Sequence, residues 1–461
     1  MLKFLQVLKV SINVIMRVVV ILAVIFIVRK LNPASLTHLN IAIIEPSAGA
    51  FSVGSEENRL AYTIALDQIN DDSNYFGVGH LRSFLVHDQL LTDASMENAR
   101  QRLENHQVAA AFGCASSHCV RQMEETLEAL DISLFYSQPY EGIYSTDRHR
   151  FMGPLPNQIP LPAAEWALNK YGRRAFILGS NTLYSRVLGE VLRDHIEASG
   201  GVVTGEIYFG LDDHNIADLP DAWKQSESDV LLNVIVGDTN VSLMHRLSVY
   251  EENVERAPML LLAMDTSKIQ DVGVFAAAGH LVATPYNLYE DNSVNTAFKA
   301  SWLAHRHNSS PPGSSEVLAF SALKMWNEAV SASIMTAPSS LSDLTQVFSG
   351  PSLTAVSENL EAVVYDSPLG ELRFDPKTKT VPLRAHIAEI SDDGTLNYVW
   401  SSDEAVYGEQ YPSSRTPEAW VALVSALRDE LGPSFRSNKT INIASAEVAQ
   451  TVPVQSTEVR P

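Results

Sequence analysis

The 461-residue chain is 46% hydrophobic and 19% charged, the composition of folded domains, and at about 150 residues each its length accommodates two or three of them. Its 33 basic against 54 acidic side chains leave a net charge of −21, which excludes nucleic acid as a partner because phosphates require a positive surface. With only Cys114 and Cys119, it has neither a disulfide scaffold nor a cysteine-built zinc site.

The chain opens with Lys3, Lys9 and Arg17 ahead of the unbroken apolar run 18–28, which Arg29 and Lys30 close. This basic-then-apolar layout marks export. No small-residue cleavage site follows, and extension back to residue 10 reaches membrane-spanning length if Arg17 snorkels to the interface. Residues 1–31 therefore read either as a signal peptide or as an uncleaved signal anchor. Both readings place the body in the periplasm, held at the inner membrane by residues 10–28 if the signal is kept. No cysteine follows the run, so a lipoprotein anchor is excluded.

From residue 39 short β-rich runs alternate with helical periodicity. A buried strand at 40–45 is followed by an amphipathic helix carrying Ala61, Ala65 and Ile69. A strand at 81–87 precedes a helix near 94–105. A third strand at 108–114 precedes a helix with Val120, Met123, Leu127 and Leu130 on one face, and a fourth begins at Ile132. Near-continuous apolar strands joined by helices imply a parallel sheet covered on both faces.

A second series starts near Asn157, with strands at 174–179, 202–208, 229–235 and 258–263. One of its helices shows Val187, Leu188, Val191, Leu192 and Ile196 before a Ser199-Gly200-Gly201 stop. After Pro285, helices at 292–305 and 315–334 flank a polar loop, and β-like segments follow at 371–374 and 384–391. The expected fold class is α/β: two doubly wound parallel-sheet lobes joined by a multi-strand hinge. Residues 38–150 with 285–362 make the first lobe, and 151–284 with 363–410 the second. A helical segment at 411–436 follows, and the polar tail 437–461 is expected to be disordered.

The sequence contains no dinucleotide fingerprint, Walker loop, zinc-protease helix or nucleophile elbow, and no cofactor is expected. Ser321 and Lys324 match SxxK, but on a helix whose Leu318, Ala322, Met325 and Ala329 form a buried stripe. Amide hydrolysis is motivated by that match alone. His305 and His307 are two residues apart and point away from each other, so no metal site is expected. Cys114 and Cys119 bracket a strand end and a helix turn, and are expected as small buried residues rather than a disulfide. Two lobes without catalytic motifs describe a binder, with its ligand at the carboxyl ends of the strands.

The segments that follow those strands carry a resemblance. Pro139-Tyr140-Glu141-Gly142, Gly153-Pro154-x-Pro156-Asn157-Gln158, Gly179-Ser180-x-x-x-Tyr184, Gly237-Asp238-Thr239-Asn240-Val241 and Ser367-Pro368-x-Gly370 with Phe374-Asp375-Pro376 occur in one order. Together they resemble the urea and short-chain amide receptors among the type I periplasmic binding proteins, the Leu/Ile/Val-binding-protein family, over residues 38 to 410. The resemblance implies a bilobed receptor that closes on a small neutral amide and hands it to an ABC permease. A homodimer is left open. The alternatives are a membrane-tethered sensor that regulates amidase or uptake genes, and a receptor for branched-chain-type amino acids.

A neutral amide requires donors for its carbonyl, acceptors for its NH2 and apolar walls. Ser117, at the start of the helix after the third strand, reads either as a donor to the carbonyl or as the helix N-cap. Gln138 offers both amide atoms where relatives often carry a small hydroxyl residue. Tyr136, Tyr140, Tyr184 and Tyr286 lie near strand ends and offer apolar rings with polar tips. Glu141 reads as an acceptor for NH2 or as a brace for the Tyr140 loop, and Asp238 as an acceptor or a helix N-cap. Ala115 and Thr182 stand where relatives carry aromatic residues, which implies either a wider pocket, suited to a larger amide, or one closed by other side chains. Ligand contact with both lobes would drive closure.

Overall fold

The structure, a computed structural model, describes residues 38–47, 49, 51–52, 54–72, 80–87, 93–144, 146–211, 219–250, 258–306, 310–335, 353–432 and 440–443. The signal or anchor expected over 1–31 lies outside them. Among the described residues no helix is long and apolar enough to cross a membrane.

The first sheet contains β1 (His38–Glu45), β2 (His80–His87), β3 (Ala110–Gly113), β4 (Ser133–Tyr136) and the two-residue β5 (Arg150–Phe151), in the order β2-β1-β3-β4-β5. All its pairings are parallel. Ile41, Ala42, Ile43 and Ile44 are all buried, because helices cover both faces of the sheet. Three of those helices are α1 (Ser55–Asp72), α2 (Asp93–His106) and α3 (Ser117–Ala129). The Val120, Met123 and Leu127 stripe of α3 is buried as its period requires.

The chain then crosses to the second lobe and runs α4 (Pro160–Tyr171), β6 (Arg174–Ser180), α5 (Leu183–Ala198), β7 (Val202–Phe209), α6 (Leu219–Ser226), β8 (Val230–Val234), α7 (Asp238–Tyr250), β9 (Met259–Leu261) and β10 (Leu281–Thr284). It returns to the first lobe as α8 (Ser293–His305), α9 (Ser314–Met335) and α10 (Leu353–Ala362), with α9 lying along α1. Across Ser367-Pro368-x-Gly370 the chain makes a hairpin of β11 (Tyr365–Ser367) with β12 (Gly370–Leu372). A third crossing leads to β13 (His386–Ile390) and β14 (Leu396–Ser401), both antiparallel additions at the β10 edge. Helix α11 (Pro417–Leu431) then docks on α5 through buried Trp420, Val424 and Leu427.

The expected disordered tail is corrected in part. Residues Thr440–Ile443 form β15, antiparallel to β7, and complete the second sheet as β14-β13-β10-β9-β8-β6-β7-β15. An exposed sheet edge offers unpaired backbone groups to any passing segment, which no side-chain period reveals. The rest of the tail lies outside the described residues.

The three crossings form the hinge, and the Gly153-to-Gln158 motif ties the first of them to the third and to the segment after β14. Gln158 is buried, donates from Nε2 to the carbonyls of Val381 (2.9 Å) and Val406 (2.7 Å), and accepts the Leu155 N–H at 3.0 Å. Asn157 donates to the Tyr407 carbonyl at 2.8 Å and accepts the Glu409 N–H at 2.8 Å.

A second correction concerns the cysteines. Cys114 and Cys119 are buried, as expected, but they form a disulfide with their Cα atoms 5.6 Å apart. Gly113 (φ 110°) and Cys114 (φ 67°) are consecutive left-handed residues that fold the end of β3 sharply into α3, and this turn brings the pair within bonding range. A Cβ on Gly113 would lie 2.3 Å from the Ile44 carbonyl oxygen, so the turn requires glycine there.

Candidate ligand-binding site

A cavity of about 150 Å³ lies where the segments after β1, β3, β4, β6, β8 and β9 meet the start of α9. Those segments belong to both lobes, and parallel strands place every one of them at the same end of its sheet. The N-termini of α1, α3, α5 and α9 reach the wall at Ser55, Ser117, Leu183 and Ser315. The first N–H groups of a helix lack intrahelical acceptors, so this wall is rich in donors and carries the positive ends of helix dipoles.

Four of the eight residues singled out in the sequence line the cavity: Ser117, Tyr136, Gln138 and Tyr184. The N-cap of α3 is Ser116, whose Oγ accepts the Cys119 N–H at 3.3 Å. Ser117 is thus relieved of capping, and its hydroxyl has no protein partner among the described residues. The Tyr136 hydroxyl donates to the Pro139 carbonyl at 3.2 Å and leaves its ring as wall. Tyr184 has no hydrogen bond to its hydroxyl among the described residues, and burial, then Glu141, raises its phenol pKa. Gln138 accepts from the Ser315 hydroxyl through Oε1 at 3.2 Å and keeps Nε2 for another acceptor.

Three others stand away from the wall, which corrects the expectation for Tyr140 and Tyr286 and, of the two readings of Glu141, the acceptor one. Tyr140 is fully buried and stacks on Phe151 with ring centroids 4.5 Å apart. Glu141 pairs with Arg121 at 3.1 Å, and the same guanidinium donates to the Gly142 carbonyl at 3.1 Å. The carboxylate is therefore a brace for its loop. Tyr286 donates to Asn295 Oδ1 at 2.6 Å inside the core. The pull of packing outweighs proximity to a strand end for these large side chains. Asp238 begins α7, and its side chain lies outside the described ones; Gly237 and Asn240 beside it line the cavity.

Sequence reasoning missed Asn58, Asp265, Lys268, Ser315 and Glu316. Asp265 follows β9, so the rule of inspecting each strand end would have found it. Its carboxylate accepts the N–H groups of Ser314 (2.9 Å) and Ser315 (2.8 Å) and the Ser314 hydroxyl (3.0 Å). Glu316 accepts the Gly313 N–H at 2.8 Å and, from the other lobe, the Ser267 hydroxyl at 3.1 Å. Burial, with Asp265 adding repulsion, pushes the Glu316 carboxyl up to about 7. Lys268 pairs with Glu57 of α1 at 3.3 Å, and Arg306 pairs with the same carboxylate at 2.9 Å. Against burial, which acts upward, Lys268 and Arg306 hold Glu57 below its ordinary range. Burial lowers His118, also on the wall, to about 4, with Arg428 and Arg121 acting the same way. Asn58 Oδ1 is buried without a protein partner among the described residues.

The SxxK serine has no part in this site. Ser321 is fully buried and donates to the Val317 carbonyl of its own helix at 2.8 Å.

Solved structures of similar fold cover nearly their whole length. A solute-binding protein of an ABC transporter from Rhodopseudomonas palustris, in complex with p-hydroxybenzoic acid, superposes with TM-score 0.70 at 13% identity, over 82% of this chain and 100% of that one. A leucine-binding protein from Thermotoga maritima gives 0.65 at 15% identity over 79% and 98%. A branched-chain amino acid binding protein from Streptococcus pneumoniae, in complex with isoleucine, gives 0.66 at 12% identity over 80% and 100%. The family model described as a periplasmic binding protein domain matches residues 39–417, and the chain accordingly belongs to the periplasmic binding proteins, a family of binders and not of enzymes.

Proposed function

We propose that this protein is an extracytoplasmic receptor for a small neutral amide, delivered to an ABC permease. One observation carries the ligand class. Each carboxyl or ammonium group on the cavity wall whose contacts are described is already engaged by protein partners, Asp265 and Glu316 through hydrogen bonds and Lys268 through its ion pair with Glu57. The groups left over among the described residues are neutral: the Ser117 and Tyr184 hydroxyls, Gln138 Nε2 and Asn58 Oδ1. An amide carbonyl fits the α3 N-terminus and Ser117, and its NH2 fits Asn58 Oδ1. An unpaired ion brought into this site would have a high desolvation cost. A cavity near 150 Å³ is of the size that holds a benzene ring, which favours an amide larger than urea.

A second reading has its own support. Asp265 and Glu316 together line one wall, and a zwitterion with its carboxylate at the α3 N-terminus could present its ammonium to them. That ligand would be an amino acid of the branched-chain type. The importer role draws on relatives described as ABC-transporter binding proteins; a tethered sensor would use the same closure with a different partner.

The test is a thermal-shift screen of the soluble body with urea, acetamide, butyramide, benzamide, leucine and benzoate. A ligand at about 100 times its Kd adds about 2.7 kcal/mol of stability. Stabilisation by the amides is the expected result. Stabilisation by leucine or benzoate alone would reject the amide assignment.

A further inference from the structure

The turn that carries Ser117 is closed into a ring by the Cys114–Cys119 disulfide, and Ala115, Ser116, Ser117 and His118 inside the ring all line the cavity. We propose that this crosslink is a positioning element of the ligand site, so that breaking it weakens binding while the lobe stays folded. The proposal rests on the site assignment made above.

Three features of the turn make it dependent on the crosslink. Cys114 is a non-glycine residue in the left-handed region, directly after a left-handed Gly113, and such a conformation persists only where the surroundings over-determine it. The surroundings that hold Cys114 are its core packing, its N–H bond to the Ile44 carbonyl at 2.7 Å and the disulfide. At the far end of the ring the cap from Ser116 to the Cys119 N–H is long, at 3.3 Å. With the crosslink gone, the strained end is free to relax, and Ser117, which has no other side-chain tether among the described residues, moves with it. The two cysteines sit in the core and do not line the cavity: Cys114 is 0% and Cys119 is 1% exposed, in one core cluster with Val120, Met123 and Leu134. The crosslink thus shapes the cavity wall without occupying the cavity.

Reduction by a dithiol supplies two electrons and two protons. The Cys114–Cys119 S–S bond breaks, each sulfur takes one proton as a thiol, and the reagent leaves as its own cyclic disulfide. Preorganisation of the free site is what is lost, so the effect falls on affinity.

The experiment compares the oxidised full chain, the dithiol-reduced chain and a Cys114→Ser/Cys119→Ser double variant, well below their melting temperatures. Acetamide, butyramide, leucine and benzoate are titrated calorimetrically, and hydrogen exchange is followed peptide by peptide. Loss of the crosslink is expected to weaken whichever of these probes binds the oxidised chain by about tenfold. Exchange is expected to accelerate in the peptide covering 114–120 and to stay unchanged in the rest of the first lobe. Equal affinity overturns the proposal, as does acceleration spread over the whole lobe, which would mark a general staple. Two titratable thiols in the oxidised chain overturn it as well. If none of the probes binds the oxidised chain, the ligand assignment fails, and the exchange comparison alone decides whether the crosslink holds the turn.

Discussion

Asp265 of the second lobe caps a helix of the first: its carboxylate accepts the Ser315 N–H at 2.8 Å and the Ser314 N–H at 2.9 Å. Gly313, at the N-cap of α9, has no side chain to do this, and a Cβ there would lie 1.9 Å from Asp265 Oδ1. Glu316 supplies the other half of a capping box by reaching back to the Gly313 N–H. The helix therefore completes its cap only when the lobes are together. Ser315 continues the contact to Gln138 on the cavity wall.

Asp265→Ala is expected to favour the open form. Loss of a cap is worth about 1 kcal/mol, or about fivefold in Kd. Calorimetric titration with the best amide of the screen should show the weaker binding, and small-angle scattering a larger radius of gyration. Unchanged affinity and scattering would refute a role for this cap in closure.

Ser116 and Ser117 should separate stability from binding. Ser116→Ala removes the α3 cap and is expected to lower unfolding free energy by about 1 kcal/mol. Ser117→Ala removes an uncommitted hydroxyl and is expected to leave the denaturation midpoint in place while weakening amide binding by about fivefold. The reverse pattern in urea melts and titrations would contradict the assignment.

The Glu316 carboxyl, pushed from an ordinary 4.5 to about 7, makes stability depend on pH. Between those values the folded protein holds a proton that the unfolded chain has released. The associated stability is complete below the unfolded value and is lost as pH rises through about 7, to an upper limit of roughly 3 kcal/mol. Urea unfolding at a series of pH values should therefore show wild type losing stability relative to Glu316→Gln across that window. Parallel curves for the two proteins would show that Glu316 ionises normally.

Gln158→Ala strips the hinge of three hydrogen bonds and leaves the Leu155 N–H and the Val381 carbonyl without that partner, while the Val406 carbonyl keeps the Leu383 N–H at 3.0 Å. Each buried group left unpaired costs about 1–3 kcal/mol. Guanidinium melts should show a fall of at least the lower figure, with the m-value unchanged. A midpoint equal to wild type would mean that water replaces the side chain.

The order of strands and helices was legible because burial on both faces writes an apolar run such as 40–45, and burial on one face writes a stripe such as Val120, Met123 and Leu127. Ser117 was legible for a related reason: strand ends in parallel sheets all point one way, so residues just after them converge. Tyr140 and Tyr286 obey the same rule and yet turn into the core, because position along the chain does not state which way a ring packs. Asp265 follows β9 and falls under that rule as well, whereas Glu316 looks like an ordinary surface acid in the sequence, and their meeting depends on how the second lobe lies against α9. The disulfide was missed because its spacing closes only through two left-handed residues in succession.

The sequence by itself determined the two-lobed α/β architecture, the hinge crossings and the strand ends at which the cavity lies, since these follow from hydrophobic period and chain direction. Tertiary structure alone decided which hydroxyls remain uncommitted, which carboxylates are spent on the opposite lobe and that β15 closes the second sheet. Those outcomes depend on distances between groups far apart in the chain, and local pattern carries no information about them.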